Sequence, residues 1–323
     1  MTAIYGRNPL VIAAYNFARH WLTDFNKRYQ VIILIVIKNN GIIFKMFKEV
    51  IILDAAKLIQ DIAHVLGTIK EKKPLVHNIT NMVVMNDTAN ILLHIGASPV
   101  MAYAREEVEE MVSLAGALVL NIGTLTPALV DSMIMAGKKA NQLGVPVVLD
   151  PVGAGATILR TESTLRILDQ VKVTILRGNA AEVSILVGME AVVKGVDAAG
   201  VANNPALIVR SAAEKFGLTV AVSGKIDAVS DGARTVLIEN GHSMMGELTG
   251  TGCMCTAITG AFAAVCSDPL TAAAGALVAF GIAGEEAARF SPPLPGSYKM
   301  ALFDQVYVLS PDKIISAARL KKE

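Results

Sequence analysis

The sequence predicts an α/β fold: a mostly parallel central sheet covered by helices on both faces, with an antiparallel edge. Three observations lead there. Between residues 97 and 187, short apolar runs of strand type alternate with longer amphipathic runs, joined by short links. The strand runs are almost wholly apolar rather than alternating, as over residues 117–122, the pattern of strands buried on both faces. Beyond Thr219 three short strands follow one another with tight turns at 224–227 and 231–233, which suits antiparallel pairing at one edge.

Residues 1–45 stand apart. They carry scattered aromatics (Tyr5, Tyr15, Phe17, Trp21, Phe25, Tyr29) and are basic, with Asp24 as their acid. A small-residue cleavage site after a proper apolar core is missing, so a secretory signal is not expected, and the Ser-rich character of a transit peptide is missing too. A cleaner amphipathic segment begins at Met46. The division expected is an N-terminal extension over 1–45, disordered or a start-site artefact, and a single domain over 46–323.

From there a helix is expected over 55–70, ending in a charged turn. The stretch from Pro74 to Asn86 mixes apolar residues with His77 and three asparagines, a pattern unusual for a plain strand or helix, whose bland alternative is the turn and cap chemistry that Asn favours. A helical run over 91–96 and a short buried strand over 97–101 follow. The helix over 106–115 carries acids in its first turn, as the helix dipole prefers. Strand 117–122 runs into Gly123, helix 128–143 is closed by Gly144, and strand 147–149 leads into Asp150 and Pro151. Next come a helix over 161–171, a strand over 173–176, and a helix opened by Asn179 and Glu182 with the spacing of a capping box. A loop over 196–205 precedes a helix over 206–216, then strands over 219–223, 228–230 and 235–239. The Gly-rich segment 246–253 opens a helix reaching 264. Helices over 270–290 and 298–309 close the pattern, separated by a rigid Pro-rich loop over 291–296.

Composition narrows the function classes. At 323 residues, 53% hydrophobic and 18% charged, a sizeable core is assured. The longest unbroken apolar stretch considered, residues 31–37, stops at Lys38, far short of the roughly 18–20 residues that cross a bilayer. A net charge of +1 offers no field for a polyanion, so neither nucleic acid nor membrane is an expected partner. Cys253, Cys255 and Cys266 lack the spacing of a zinc site or a disulfide framework, which points to a reducing, cytoplasmic compartment.

In open parallel sheets ligands bind at the carboxyl ends of the strands. That rule makes Asn121, Gly123, Asp150, Gly153, Arg177, Gly178 and Glu182 neighbours of one cleft. The turn Gly250-Thr251-Gly252, opening a helix at Cys253, presents free N–H groups at the positive helix end and reads as an anion hole. Its alternative is a Gly-rich bend between packed elements, with Cys253 a small core residue; Asp150 could equally be a turn acid before Pro151, and Glu182 a helix cap. Walker A and Rossmann glycine fingerprints are absent. An anion hole, two acids and a cation are the parts that phosphoryl transfer needs, with magnesium held on one or two carboxylates.

The segments 76–81, 96–102, 121–124, 149–156, 177–182, 194–197 and 249–253, in this order, resemble hydroxyethylthiazole kinase, over a span from about Leu53 to Ala318. The resemblance implies a ribokinase-like fold, a homotrimer with active sites at subunit interfaces, and ATP-dependent phosphorylation of 4-methyl-5-(2-hydroxyethyl)thiazole with Mg²⁺. It implies that Met101 and Gly250 contact the thiazole, with Asn81 contributed by an adjacent subunit. Arg177 and Ser223 would contact ATP, a Ser standing where the family usually has Thr; Asp150 and Glu182 would hold Mg²⁺ directly or through water. Cys253 takes the place of the aspartate base of most ribokinase-like enzymes, with Gly252 beside it in the anion hole.

A thiol at a helix N-terminus is expected to have a lowered pKa, yet a thiolate there would compete with phosphate for the same N–H groups. Cys253 is therefore expected to assist weakly, with Cys255 and Cys266 serving packing. The runner-up reading is a ribokinase-like kinase for a hydroxymethylpyrimidine or a sugar, against which Cys253 counts. A non-catalytic sensor is the reading from another class, against which intact Asp150, Glu182, Arg177 and Gly252 count.

Overall fold

The computed structural model describes residues 31–38, 41–48, 54–189 and 204–322. The chain divides into two units, Met1–Ile52 and Leu53–Glu323. The described part of the first is an antiparallel hairpin of β1 (Val31–Lys38) and β2 (Gly41–Lys48), with Val31 opposite Lys48 and Lys38 opposite Gly41. Met46, where the sequence pattern starts an amphipathic segment, lies within β2; residues 1–30 of the extension lie outside the described residues.

The second unit opens with α1 (Ala55–Lys72). Asp54 caps it, its carboxylate accepting from the N–H groups of Ala56 and Lys57 at 3.0 and 3.2 Å. Then follow β3 (Leu75–Ile79), α2 (Met85–Ile95), β4 (Ser98–Val100), α3 (Val108–Leu114), β5 (Ala117–Asn121), α4 (Pro127–Leu143), β6 (Val147–Asp150), α5 (Ile158–Gln170), β7 (Ile175–Asn179) and α6 (Ala180–Val187). The loop expected over 196–205, with the motif at 194–197, falls outside the described residues except for Asn204 and Pro205. These two cap and open α7 (Pro205–Phe216). The chain continues through β8 (Thr219–Ser223), β9 (Asp227–Ser230), β10 (Thr235–Ile238), a 3₁₀ turn (Ser243–Glu247), α8 (Thr251–Ala263), α9 (Pro269–Phe290), α10 (Pro295–Val308), α11 (Pro311–Ala317) and β11 (Leu320–Lys322).

These strands form one nine-stranded sheet in the order β11-β10-β9-β8-β7-β6-β5-β3-β4. Pairs from β4 to β8 are parallel; β8–β9, β9–β10 and β10–β11 are antiparallel. The expected mostly parallel sheet with an antiparallel edge is what forms. Both faces are apolar because successive side chains point oppositely. Val119, Val148 and Ala221 join the core under α1, α2 and α8–α11, while Leu118, Leu120, Val147, Leu149, Val220 and Val222 join the core under α3–α7. Each such buried aliphatic contributes on the order of 1.5–3 kcal/mol.

Several elements differ from expectation: α2 starts at Met85 rather than at 91, and α11 and β11 extend the pattern beyond 309. Leu75–Ile79 is a strand, four of its five residues buried, although His77 and Asn78 interrupt its apolar run. Each is satisfied only in part: His77 Nε2 bonds Ala102 O at 2.6 Å and Asn78 Nδ2 donates to Val76 O at 2.9 Å, while His77 Nδ1 and Asn78 Oδ1 have no partner among the described residues. Strand β7 starts two residues late and runs on through Arg177, Gly178 and Asn179, so polar site residues extend the sheet. β4 is half-buried, as an edge strand should be. Helix α9 is long and apolar enough to cross a membrane by length and composition, contrary to expectation, but 89% of its apolar window is buried inside the fold. It is a core helix, packed between α8 and α10.

Candidate active site

Strands β5 to β8 end along one edge of the sheet, and α8 starts against it. The register sets Asn121 opposite Asp150 and Asn179 opposite Ser223. Asp150 is 2% exposed. Its Oδ2 accepts from Asn121 Nδ2 at 2.9 Å and from Thr256 Oγ1 at 2.7 Å. Burial pushes its carboxyl up to about 6; Arg177, Thr256 and Asn121 oppose that shift in part, and the nearby Glu182 charge adds to it.

From Asp150 a polar chain leads to the thiol. Asn121 Oδ1 accepts from Asn81 Nδ2 at 2.9 Å, and the same Asn81 amide reaches Cys253 Sγ at 3.3 Å. Asn81 is buried, its amide hydrogens engaged by Asn121 and Cys253 of the same chain. The Cys253 thiol is pushed up, not down as its place at a helix start predicts. Burial is the main cause and the Asp150 charge the next, while Asn121, Asn81 and Arg177 oppose them without prevailing.

The start of α8 is shaped by two glycines. Gly250, at φ 91°, precedes the helix, and a Cβ there would lie 2.3 Å from Val84 Cγ1. The first intrahelical bond from this turn is Met254 N–H to Gly250 O at 2.8 Å, which leaves the N–H groups of residues 251–253 ahead of the ladder. A Cβ on Gly252 would lie 2.9 Å from Arg177 Nη1, so the missing side chain lets the guanidinium rest on the helix end.

Arg177 is 6% exposed. Its Nη2 donates to Ser223 Oγ at 2.7 Å, its Nε has no acceptor, and it makes no ion pair among the described residues. Burial acts to lower its pKa, but Cys255, Asp150 and Asp227 around it prevail and hold it above its ordinary value. A buried cation and a positive helix end thus share one wall of a cavity of about 650 Å³, with Ser223, Asp227, Cys255 and Phe280. Cys255, assigned to packing by the sequence pattern, lines this cavity; burial pushes its thiol up to about 11. Cys266 lies elsewhere, its Sγ 3.4 Å from Asp268 O.

Glu182 closes a capping box on α6: Oε2 accepts from Asn179 N at 2.9 Å, and Asn179 Oδ1 accepts from Glu182 N at 2.9 Å. Its Oε1 accepts from Gly153 N at 2.8 Å. Both oxygens are thus engaged by backbone, whereas Asp150 Oδ1 accepts no hydrogen bond among the described residues. Among those residues no group of three His, Cys, Asp or Glu forms a closed metal cage. The donor set fits Mg²⁺, which needs one or two carboxylates and completes its shell with water and phosphate oxygen. Met101 follows the edge strand β4, half-buried, and lines neither the cavity nor the amide–thiol chain.

The structure thus brings Asp150, Asn81, Cys253, Gly250, Gly252, Arg177 and Ser223 together around the start of α8, leaves Glu182 one loop away, and sets Met101 apart. Sequence reasoning missed Thr256, Asp227 and Arg160. Thr256 lies three residues after Cys253, hence on the same helix face, which was the available signal. The assembled groups can bind the phosphates of a ligand and stabilise charge on a phosphoryl group in transfer.

The family model described as Hydroxyethylthiazole kinase family matches residues 66–312. A hydroxyethylthiazole kinase of Methanocella arvoryzae is 53% identical over 255 residues, covering 79% of this chain and 96% of the relative. One of Thermoanaerobacter pseudethanolicus is 52% identical over 259 residues, covering 80% and 98%. Among solved structures, the hydroxyethylthiazole kinase protein from Pyrococcus horikoshii is 48% identical with a TM-score of 0.75, covering 82% of this chain and 99% of that one. The pyridoxal kinase of Staphylococcus aureus, at 17% identity, a TM-score of 0.50 and coverage of 65% and 87%, shares the ribokinase-like fold alone.

Proposed function

The chain belongs to the hydroxyethylthiazole kinase family, and on that premise we propose how its residues move a phosphoryl group from ATP to the hydroxyl of 4-methyl-5-(2-hydroxyethyl)thiazole, the salvage step toward thiamine. The observation that carries the proposal is Arg177, a buried cation without an ion pair among the described residues, resting on the N-terminus of α8 at the cavity wall. Buried charges are normally paired; Asp150 and Asp227 lie near Arg177 without forming an ion pair with it among the described residues, so its guanidinium suits an anionic ligand.

ATP phosphates are held by Arg177 and Ser223. The N–H groups of Thr251, Gly252 and Cys253 receive the phosphoryl group in transfer, where charge spreads over its equatorial oxygens. Gly250 and Asn81 hold the thiazole so that its hydroxyl faces that group in line; Met101, set apart from this chain's own cleft, would reach the thiazole of an adjacent subunit. Asp150 and Glu182 would hold Mg²⁺, directly or through water, and the ion would neutralise phosphate charge. In a loose transition state the attacking hydroxyl keeps its proton until the new P–O bond is largely made and the bond to ADP is broken, then loses it to a phosphoryl oxygen or to solvent, so a strong base is not required. A neutral Cys253 thiol, fixed by Asn81, fits that requirement and leaves the anion hole free for phosphate.

We assign the working protein to a homotrimer. Met82 and Val83, next to Asn81 in the chain, are 69% and 68% exposed, and Leu93, Met300 and Tyr307 on the packed helices α2 and α10 are exposed as well. An apolar surface of this kind beside a site supports burial by another copy. Three free cysteines support a reducing, cytoplasmic compartment. The kinase domain, expected over 46–323, is assigned to the second unit, Leu53–Glu323, since Met46 lies within β2 of the first.

The test is ADP release from Mg-ATP with and without hydroxyethylthiazole. Thiazole-dependent ADP is the expected outcome, and ADP formation indifferent to thiazole refutes the proposal. A thiazole-raised melting temperature without turnover would make the protein a sensor instead.

A further inference from the structure

Arg160 sits in the first turn of α5, outside the nucleotide cavity, and makes no ion pair among the described residues. Its guanidinium donates instead to three backbone carbonyls. Nη1 donates to Val152 O at 2.7 Å and to Ile122 O at 3.3 Å; Nη2 donates to Gly123 O at 2.9 Å. Ile122 and Gly123 follow Asn121 at the end of β5, and Val152 follows Asp150 at the end of β6. The β5–β6 pairing ends with Ile122 N–H to Asp150 O at 3.3 Å. Arg160 takes over where the ladder stops.

The loop after Asp150 is closed around this side chain. Gly153 has φ 76°, and a Cβ there would lie 3.0 Å from Arg160 Cδ. From the other side Gly153 N–H donates to Glu182 Oε1. A cation with three carbonyl acceptors and no carboxylate is an unusual use of arginine for stability alone, since a shorter polar residue could satisfy one loop. Only a planar fork of fixed donors spans two.

We propose that Arg160 is a positioning residue for the transfer reaction: it fixes the Asn121 loop against the Asp150 loop and so sets the amide–carboxylate pair at the reacting end of the cleft. The inference rests on the kinase reading of Asp150 above. Arg160 touches neither β7 nor β8 through these bonds, so the Arg177 and Ser223 contacts to ATP stand apart from it. A misplacement on the order of 1 Å in such a pair lowers the rate about a hundredfold while leaving binding largely intact.

The experiment compares wild type, Arg160→Met and Arg160→Lys by steady-state kinetics for Mg-ATP and hydroxyethylthiazole, with melting temperatures measured alongside. Arg160→Met is expected to lower kcat by about tenfold to a hundredfold with KM for ATP changed less than about threefold. Arg160→Lys, which keeps the charge but not the fork, is expected to lie between Met and wild type. A folded Arg160→Met enzyme with kcat within about twofold of wild type overturns the inference, as does a loss appearing only in KM for ATP. If the Met variant fails to fold, Arg160→Lys decides: wild-type kcat overturns the proposal and reduced kcat with unchanged KM for ATP upholds it. A wild type without thiazole-dependent turnover instead refutes the kinase reading, and this inference with it.

Discussion

Asp150 is nearly excluded from water; the Arg177 charge compensates it most, followed by hydrogen bonds from Thr256 and Asn121, and together they do not offset burial. Burial raises its carboxyl from 3.8 to about 6. Between those values the folded chain binds more protons than the unfolded chain, so this group's stabilising contribution is complete below the lower value and is lost as pH rises through the upper. At neutral pH the ionised carboxylate costs roughly 3 kcal/mol, at about 1.36 kcal/mol per pKa unit. Asp150→Asn is therefore expected to melt higher than wild type near neutral pH in the absence of nucleotide. The difference should shrink toward a pH of about 4, and turnover should be lost at every pH. Melting curves across that range check the sign; a variant that melts lower at neutral pH would show that the carboxylate charge stabilises the fold. Cys253 shows the same environment acting on a thiol. The sequence places it at a positive helix end and predicts a lowered pKa. Burial and the Asp150 charge, neither of which the residue's own position reveals, reverse the direction.

At the scale of the element, the start of α8 is the working part, and Gly252 is where helix and strand meet. Because a Cβ there would lie 2.9 Å from Arg177 Nη1, Gly252→Ala is expected to push the guanidinium off the helix end. KM for ATP should rise about tenfold while the melting temperature changes by only a few degrees, since Ala suits a helix interior better than Gly. An unchanged KM for ATP would mean that phosphate does not bind at that contact. The start of α6 was legible in the sequence because its chemistry is local: Asn179 and Glu182 announce a capping box, and the structure contains it. The parallel strands from β5 onward were legible because both faces are apolar. Strand β3 was not, because His77 and Asn78 break its apolar run and the one distant contact that ties His77 down, to Ala102 O, lies 25 residues away in the chain. Thr256 and Arg160 escaped notice for the same reason. Threonine inside an apolar helix and arginine at a helix start have bland local readings. Their partners, Asp150 and the loops after β5 and β6, become neighbours only when the sheet forms.

At the scale of the whole molecule, strand order decides what the site can be. Consecutive parallel strands β5 to β8 deliver Asn121, Asp150, Arg177 and Ser223 to one edge, and α8 crosses beneath them with its positive end toward Arg177. The exposed Met82 and Val83 beside that edge belong to the assembly of copies proposed above. Met82→Glu is expected to convert a sedimenting trimer into monomers and to lower activity with it; a wild type that sediments as a monomer at micromolar concentration would remove the trimer from the account. The central claim is that an electrostatic cradle built by the fold, and not a thiol base, carries the transfer. Steady-state kinetics of Cys253→Ala and Arg177→Met, measured side by side with Mg-ATP and hydroxyethylthiazole, test it most directly. The account predicts that Cys253→Ala keeps kcat within about tenfold of wild type, while Arg177→Met loses on the order of a thousandfold in kcat/KM for ATP. A Cys253→Ala enzyme that loses a comparable factor in kcat, with both KM values unchanged, would contradict it and make the thiol the base.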